Sequence, residues 1–183
     1  EVIKWFRENN VDVKIISGDN PITVAEVARR VGVAGTERYV SLEGMSTREV
    51  IEAATKYTVF GRVSPEQKCT LVKALKAAGK TVAMTGDGVN DILAMKEADC
   101  AVSVASGSEA ARNVSNLVLQ DNNFASMPKI VNEGRRVINN IKNSASLYIM
   151  KTLLTLILAV VCITTSSKYF FTTNNMILYE VLI

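Results

Sequence analysis

The stretch Met84-Thr85-Gly86-Asp87-Gly88-Val89-Asn90-Asp91 sets two carboxylates and a carboxamide close together on two glycines that permit tight turns. A short apolar run, Thr81-Val82-Ala83-Met84, precedes it and reads as a strand, and a helical pattern at Ile92, Leu93 and Met95 follows. Oxygen donors at the carboxyl end of a strand stand where an open α/β sheet binds ligands. Asp87, with Asp91 as a second candidate, suits a hard cation such as Mg2+. A bare Asp-Gly would read as an acidic surface turn, but the whole string argues against that. Ser17-Gly18-Asp19 also follows a strand-like run. Its hydroxyl and backbone donors suit a phosphoryl oxygen, and a plain Ser-Gly turn with Asn20 or Thr23 as helix cap is the alternative. The third string is Gly61-Arg62-Val63-Ser64-Pro65-Glu66-Gln67-Lys68. It sets Lys68 in the first turns of a helix opened by Pro65, where a lysine adds a point charge to the positive end of the dipole. Arg62, just outside that helix, is placed to reach a nucleotide or phosphate. Alone, each of these two residues is an ordinary surface charge. Jointly, a hydroxyl, a lysine and an acidic pair are what phosphoryl transfer needs, because donors neutralise the equatorial oxygens while a metal bridges carboxylate and phosphate.

The intervening segments must position these groups. Residues 11–16 read as a strand, and residues 22–31 as a helix closed by Gly32. A short strand over 39–42, a helix over 46–54 and a strand over 58–60 follow. The helix opened by Pro65 carries Leu71, Val72, Leu75 and Ala78 and ends at Gly79. Beyond the strand over 81–84 come strands over 100–104 and 117–119. From Met127 the pattern is helical and runs without a break into an apolar segment. Strands alternating with helices imply parallel βαβ units, hence an α/β fold with a doubly wound, Rossmann-like parallel sheet.

Composition bounds the function. The 183 residues are 48% hydrophobic and 21% charged, as in globular domains, but the distribution is uneven. Residues 145–167 form a span interrupted only by Lys151, long enough for a membrane helix of ~20 residues. A buried core helix is the alternative, and the sequence offers no later soluble segment to bury one. Arg135, Arg136, Lys142 and Lys151 precede the apolar run and only Lys168 soon follows it, which places the soluble part in the cytoplasm. A net charge of +3 is too small to argue for a nucleic-acid partner. Cys69, Cys100 and Cys162 lack metal-ligand spacing and read as reduced thiols. The sequence holds no histidine, so histidine-dependent chemistry is excluded within it. Glu1 opens without an initiator methionine and Ile183 stops inside a second apolar stretch, so the expectation is a piece of a longer protein.

In order and separation, the three strings resemble the later motifs of the haloacid dehalogenase superfamily, specifically of cation-transporting P-type ATPases. Ala98-Asp99-Cys100-Ala101-Val102 and Leu119-Gln120-Asp121-Asn122-Asn123-Phe124 resemble the segments after that family's hinge motif. Residues 133–142 resemble the stalk leading into its fifth membrane helix. The resemblance implies an aspartyl phosphate formed from ATP with Mg2+ and coupled to ion movement. Ser17 would stabilise the phosphoryl group, Lys68 its charge, and Asp87 the Mg2+, with Asp91 as a further candidate ligand. Asn90 and Asp91 would orient the site, and Ser17, Gly18, Asp19, Arg62, Lys68 and Asn90 would line the nucleotide. Residues 1–126 would be the C-terminal part of the phosphorylation domain and 127–144 the stalk. A membrane helix over 145–167 and a loop with the start of a second membrane segment over 168–183 would follow. The implied setting is an integral membrane protein of a bacterial cell membrane. Its partners would be the bilayer, ATP, the transported cation, and the missing actuator, nucleotide-binding and membrane parts.

Two departures qualify this. The family's phosphorylated Asp-Lys-Thr-Gly-Thr string does not occur and is expected upstream, so the chain alone should neither form the aspartyl phosphate nor transport. Ile92-Leu93 stands where many ion pumps carry Ala-Pro, which leaves the ion open. Asn143, Tyr148, Thr152, Thr155 and Thr164 either line a path or satisfy helix contacts. Two competing readings are a soluble phosphatase of the same superfamily and a regulatory module with a vestigial site.

Overall fold

The computed structural model describes residues 2–165. The chain separates into two units, Glu1–Lys129 and Ile130–Ile183. The expected loop and second membrane segment over 168–183 lie outside the described residues, as do the last two residues of the expected membrane helix.

The first unit alternates helices and strands: α1 (Val2–Glu8), β1 (Ile15–Ile16), α2 (Pro21–Arg30), β2 (Tyr39–Ser41), α3 (Thr47–Lys56), β3 (Val59–Gly61) and α4 (Pro65–Ala77). Then come β4 (Ala83–Thr85), α5 (Ile92–Glu97), β5 (Cys100–Val104), α6 (Glu109–Val114) and β6 (Leu117–Leu119), with a 3-10 turn over Val89–Asp91 before α5. Local chemistry sets the helix starts. The Asn20 carboxamide accepts the Ile22 amide at 2.9 Å ahead of Pro21. Ser46 with Glu49, and Ser64 with Gln67, form reciprocal capping boxes that satisfy orphan donors at the starts of α3 and α4.

Every strand pairing is parallel, as the alternation predicts. The strands form two three-stranded sheets, β1-β3-β2 and β4-β5-β6, where the sequence suggested one. Among the described residues β1 and β4 are therefore both edge strands. The helix α4 bridges the halves: Leu71 packs into a core with Leu42, Val50 and Phe60, while the adjacent Val72 packs with Met84, Met95 and Ala101. The first strand is shorter than residues 11–16, because β3 is three residues long and pairs with β1 only at Ile15 and Ile16.

The second unit is dominated by α7 (Met127–Thr165), 39 residues long and continuous across the expected boundary between stalk and membrane helix. Its helical stretch holds an 18-residue window of mean hydropathy 2.2, none of it buried, and is long and apolar enough to cross a membrane.

Candidate phosphoryl-transfer site

Each half of the fold offers one cluster at the carboxyl ends of its strands. In the first half, the Ser17 amide donates to the Phe60 carbonyl at 2.9 Å and continues the β1–β3 ladder past Ile16. The chain then turns through Gly18 and Asp19. The Ser17 hydroxyl donates to Asp19 Oδ2 and accepts the Asp19 amide, both at 3.2 Å. Two backbone bonds join this loop to the one after β3: Arg62 N–H to the Asp19 carbonyl at 2.9 Å, and Val63 N–H to the Ser17 carbonyl at 3.1 Å. That second bond fixes the chain just before α4, and hence the approach of Lys68. Gly61 is demanded by packing, since a Cβ there would lie 2.5 Å from the Pro21 backbone. Arg62 carries the turn at φ 52, a left-handed conformation that is uncommon outside glycine, asparagine and aspartate. Gly18, Asp19 and Arg62 are exposed, and Ser17 is half-buried.

In the second half, Lys68 Nζ donates to Asp91 Oδ1 at 2.6 Å. The two side chains are only 14% and 12% exposed, so solvent screens the pair weakly. The other Asp91 oxygen accepts the Gly88 amide at 3.4 Å. Gly86 makes this possible by closeness rather than by an unusual turn: a Cβ there would sit 2.6 Å from Asp91 Cβ. Asp87 and Asn90 are exposed at the head of the loop. Asp87 is held by its backbone, whose carbonyl accepts the Ser108 amide at 2.8 Å. Ser108 was not anticipated. The Ser106-Gly107-Ser108 string lies just beyond β5, on the same sheet edge, and that position could have flagged it.

The candidates thus fall into two groups, Ser17–Asp19–Arg62 and Lys68–Asp91 beside Asp87 and Asn90. Among the described residues no hydrogen bond or ion pair joins one group to the other. What connects them is the short run from Val63 to Lys68 and the body of α4. An anchored lysine, an exposed carboxylate and a hydroxyl loop can together receive a phosphorylated group, with positive charge and donors on one side and a cation-binding oxygen on the other.

Comparisons with known proteins bear on the family to which the chain belongs. Residues 1–99 match the family model described as haloacid dehalogenase-like hydrolase. The protein "Probable cation-transporting ATPase exp7" of Streptococcus pneumoniae is 47% identical over 163 residues, covering 89% of this chain and 21% of that protein. "Calcium-transporting ATPase CtpE" of Mycobacterium tuberculosis is 47% identical over 159 residues, covering 87% of this chain and 20% of its own length. The chain therefore spans about one fifth of the length of these relatives. Among solved structures, the catalytic domain of the CPx-ATPase CopB-B superposes with a TM-score of 0.55 at 23% identity, covering 71% of this chain and 42% of that one, which shows the shared fold. With its parallel βαβ halves and a family match across the three motif-bearing loops, the chain belongs to the haloacid dehalogenase-like hydrolases.

Proposed function

We propose that the chain is part of a P-type cation pump, in which Mg-dependent formation and hydrolysis of an aspartyl phosphate drives ion movement across a membrane. The observation that carries this is the anchored Lys68–Asp91 pair beside the exposed Asp87, all at the carboxyl edge of a parallel sheet. The names of the relatives and the apolar helix α7 support it.

The split sheet fits the same reading. Among the described residues β1 and β4 are edge strands, and α4 packs on both halves. One upstream strand pairing with β1 and β4 would join them. Its carboxyl end, carrying the phosphorylated aspartate, would then emerge between Ser17 and Asp87.

The donor set fits Mg2+. That ion is usually held by one or two carboxylates plus substrate phosphates, with waters completing the shell. Asp87 supplies one exposed carboxylate, and no group of three acidic, cysteine or histidine residues occurs among the described residues. When bound, the ion supplies charge neutralisation at the phosphoryl oxygens. Asp91 is engaged by Lys68, so its role is to hold that ammonium in place rather than to complete a metal shell. Lys68 then offers a fixed positive charge, Ser17 offers its hydroxyl, and Arg62, Gly18, Asp19 and Asn90 face the nucleotide. The basic residues before the apolar run put the soluble part on the cytoplasmic side.

The test is Asp87→Asn in the full-length protein, assayed for Mg-dependent phosphorylation by ATP. The expected result is a loss of about 100-fold or more, as for the removal of one charge-stabilising group. Normal phosphoenzyme in that variant would remove Asp87 from the site. The present chain alone, lacking the phosphorylated aspartate, should form none.

A further inference from the structure

The backbone of Asp87 is placed by the loop over residues 105–108. The Ser108 amide donates to the Asp87 carbonyl at 2.8 Å, and a Cβ on Gly107 would lie 3.1 Å from that same oxygen. Loop and aspartate are thus in such close contact that a shift in one moves the other. Backbone bonds hold the loop on its strand: the Ala105 amide donates to the Leu119 carbonyl, and the Gly107 amide to the Val104 carbonyl, both at 3.0 Å. Between them the Ser106 amide donates to Asn122 Oδ1 at 2.7 Å, a side-chain bond across 16 residues of sequence.

Asn122 is itself braced. It lies in the turn between β6 and α7 at φ 51, a left-handed conformation that asparagine tolerates better than most residues. Its amide donates to the Leu119 carbonyl at 3.3 Å. Beside it, the Asp121 carboxylate accepts the Asn123 amide at 3.1 Å and the Ser126 hydroxyl, and the Asn123 carboxamide accepts the Ala125 amide at 2.9 Å. Phe124 rests against Phe6 with ring centroids 5.8 Å apart. The turn is therefore a fixed point, and the loop is tied between it and Asp87. Asn122 and Ser106 are both exposed, so their bond adds nothing to the buried core. Nor does the turn require it, since glycine would adopt the same left-handed backbone without strain.

We propose that Asn122 is a positioning residue for Asp87: its carboxamide oxygen fixes Ser106 and, through Ser108, the backbone that aims the Asp87 carboxylate at Mg2+. This deepens the pump reading and rests on it for the metal. A ligating carboxylate depends on the groups that orient it, and loss of such a group lowers metal affinity without removing a ligand.

The experiment compares two variants of the full-length protein in its membrane. Asn122→Gly removes the acceptor and keeps the left-handed turn, whereas Asn122→Asp retains both. The free Mg2+ needed for half-maximal phosphorylation by ATP should rise about tenfold in Asn122→Gly, the lower end for outer-shell partners of a metal ligand. It should stay with the wild type in Asn122→Asp. A second measurement needs neither metal nor activity: amide hydrogen exchange, resolved at Ser106 and Ser108, should quicken at both positions in Asn122→Gly. A residue that served only the turn would lower the phosphoenzyme yield at every Mg2+ concentration and leave the half-maximal concentration unchanged. That result, or faster exchange at Ser106 alone, overturns the proposal. If Asn122→Gly fails to accumulate, Ser108→Pro takes its place, because φ −59 at Ser108 suits proline and proline has no N–H to offer Asp87. A raised Mg2+ requirement in that variant supports the proposal, and an unchanged one overturns it. A wild-type protein that forms no phosphoenzyme would sink the pump reading, while the exchange measurement would still decide the link from Asn122 to Ser108.

Discussion

The Lys68–Asp91 pair is where stability and chemistry can be separated. Removing one partner of a fully buried ion pair costs about 3–5 kcal/mol, whereas apolar replacement of both is often neutral. This pair keeps some solvent contact, so Asp91→Ala should destabilise the fold by about 2 kcal/mol, read by chemical denaturation. The double variant Lys68→Met with Asp91→Leu should recover most of that loss but none of the phosphorylation in the full-length protein. A double variant as unstable as the sum of the singles would show that the two groups are not coupled. The sequence displayed these side chains but not their pairing. Helical spacing placed Lys68 near the start of α4 and the loop pattern placed Asp91 at its end; their 2.6 Å contact depends on how α4 lies over β4. The Ser108 contact to Asp87 was hidden for the same reason, since it joins loops 21 residues apart in sequence.

At the scale of elements, α4 is fastened at both ends. Near its start Lys68 meets Asp91. Near its end Lys76 donates to the Glu97 carbonyl at 2.6 Å and lies 3.3 Å from Asp99. The Asp99 carboxylate also accepts the Val82 amide at 2.8 Å, and this bond, with a smaller contribution from Lys76, holds its pKa below the ordinary value. A carboxyl group with a depressed folded pKa contributes stability that is present above its unfolded value, about 3.8, and lost as pH falls through the lower folded value. Melting temperature should therefore fall below about pH 4, and Asp99→Asn should show a shallower fall. Parallel acid limbs for the two proteins would mean that Asp99 does not contribute. Most elements were legible because their caps and periods are local: Asn20, Ser46 and Ser64 begin helices as their types predict. The division into two sheets was not legible, because strand order depends on partners distant in sequence. The short β1 was obscured likewise, its length being set by β3.

For the whole chain, α7 is the element on which a membrane pump and a soluble phosphatase of the same family would differ. Its amino-terminal part carries Lys129, Glu133, Arg135, Arg136 and Lys142, while residues 143–165 carry only Lys151. Those 23 residues span ~34 Å as a helix, close to the thickness of a hydrocarbon core. An 18-residue apolar window within the helix is unburied among the described residues, and aliphatic side chains such as Leu156 and Ile163 are exposed there. In water such a surface drives association. In a bilayer it costs nothing, and the helix satisfies its own backbone polar groups. The full chain should therefore fractionate with membranes and require detergent for extraction, whereas a chain ended after Ser144 should remain in the aqueous fraction. Had a packed core buried this helix, truncation would expose that core and send the shorter chain into aggregates. An aqueous full chain without detergent would defeat the pump assignment and leave the phosphatase reading standing.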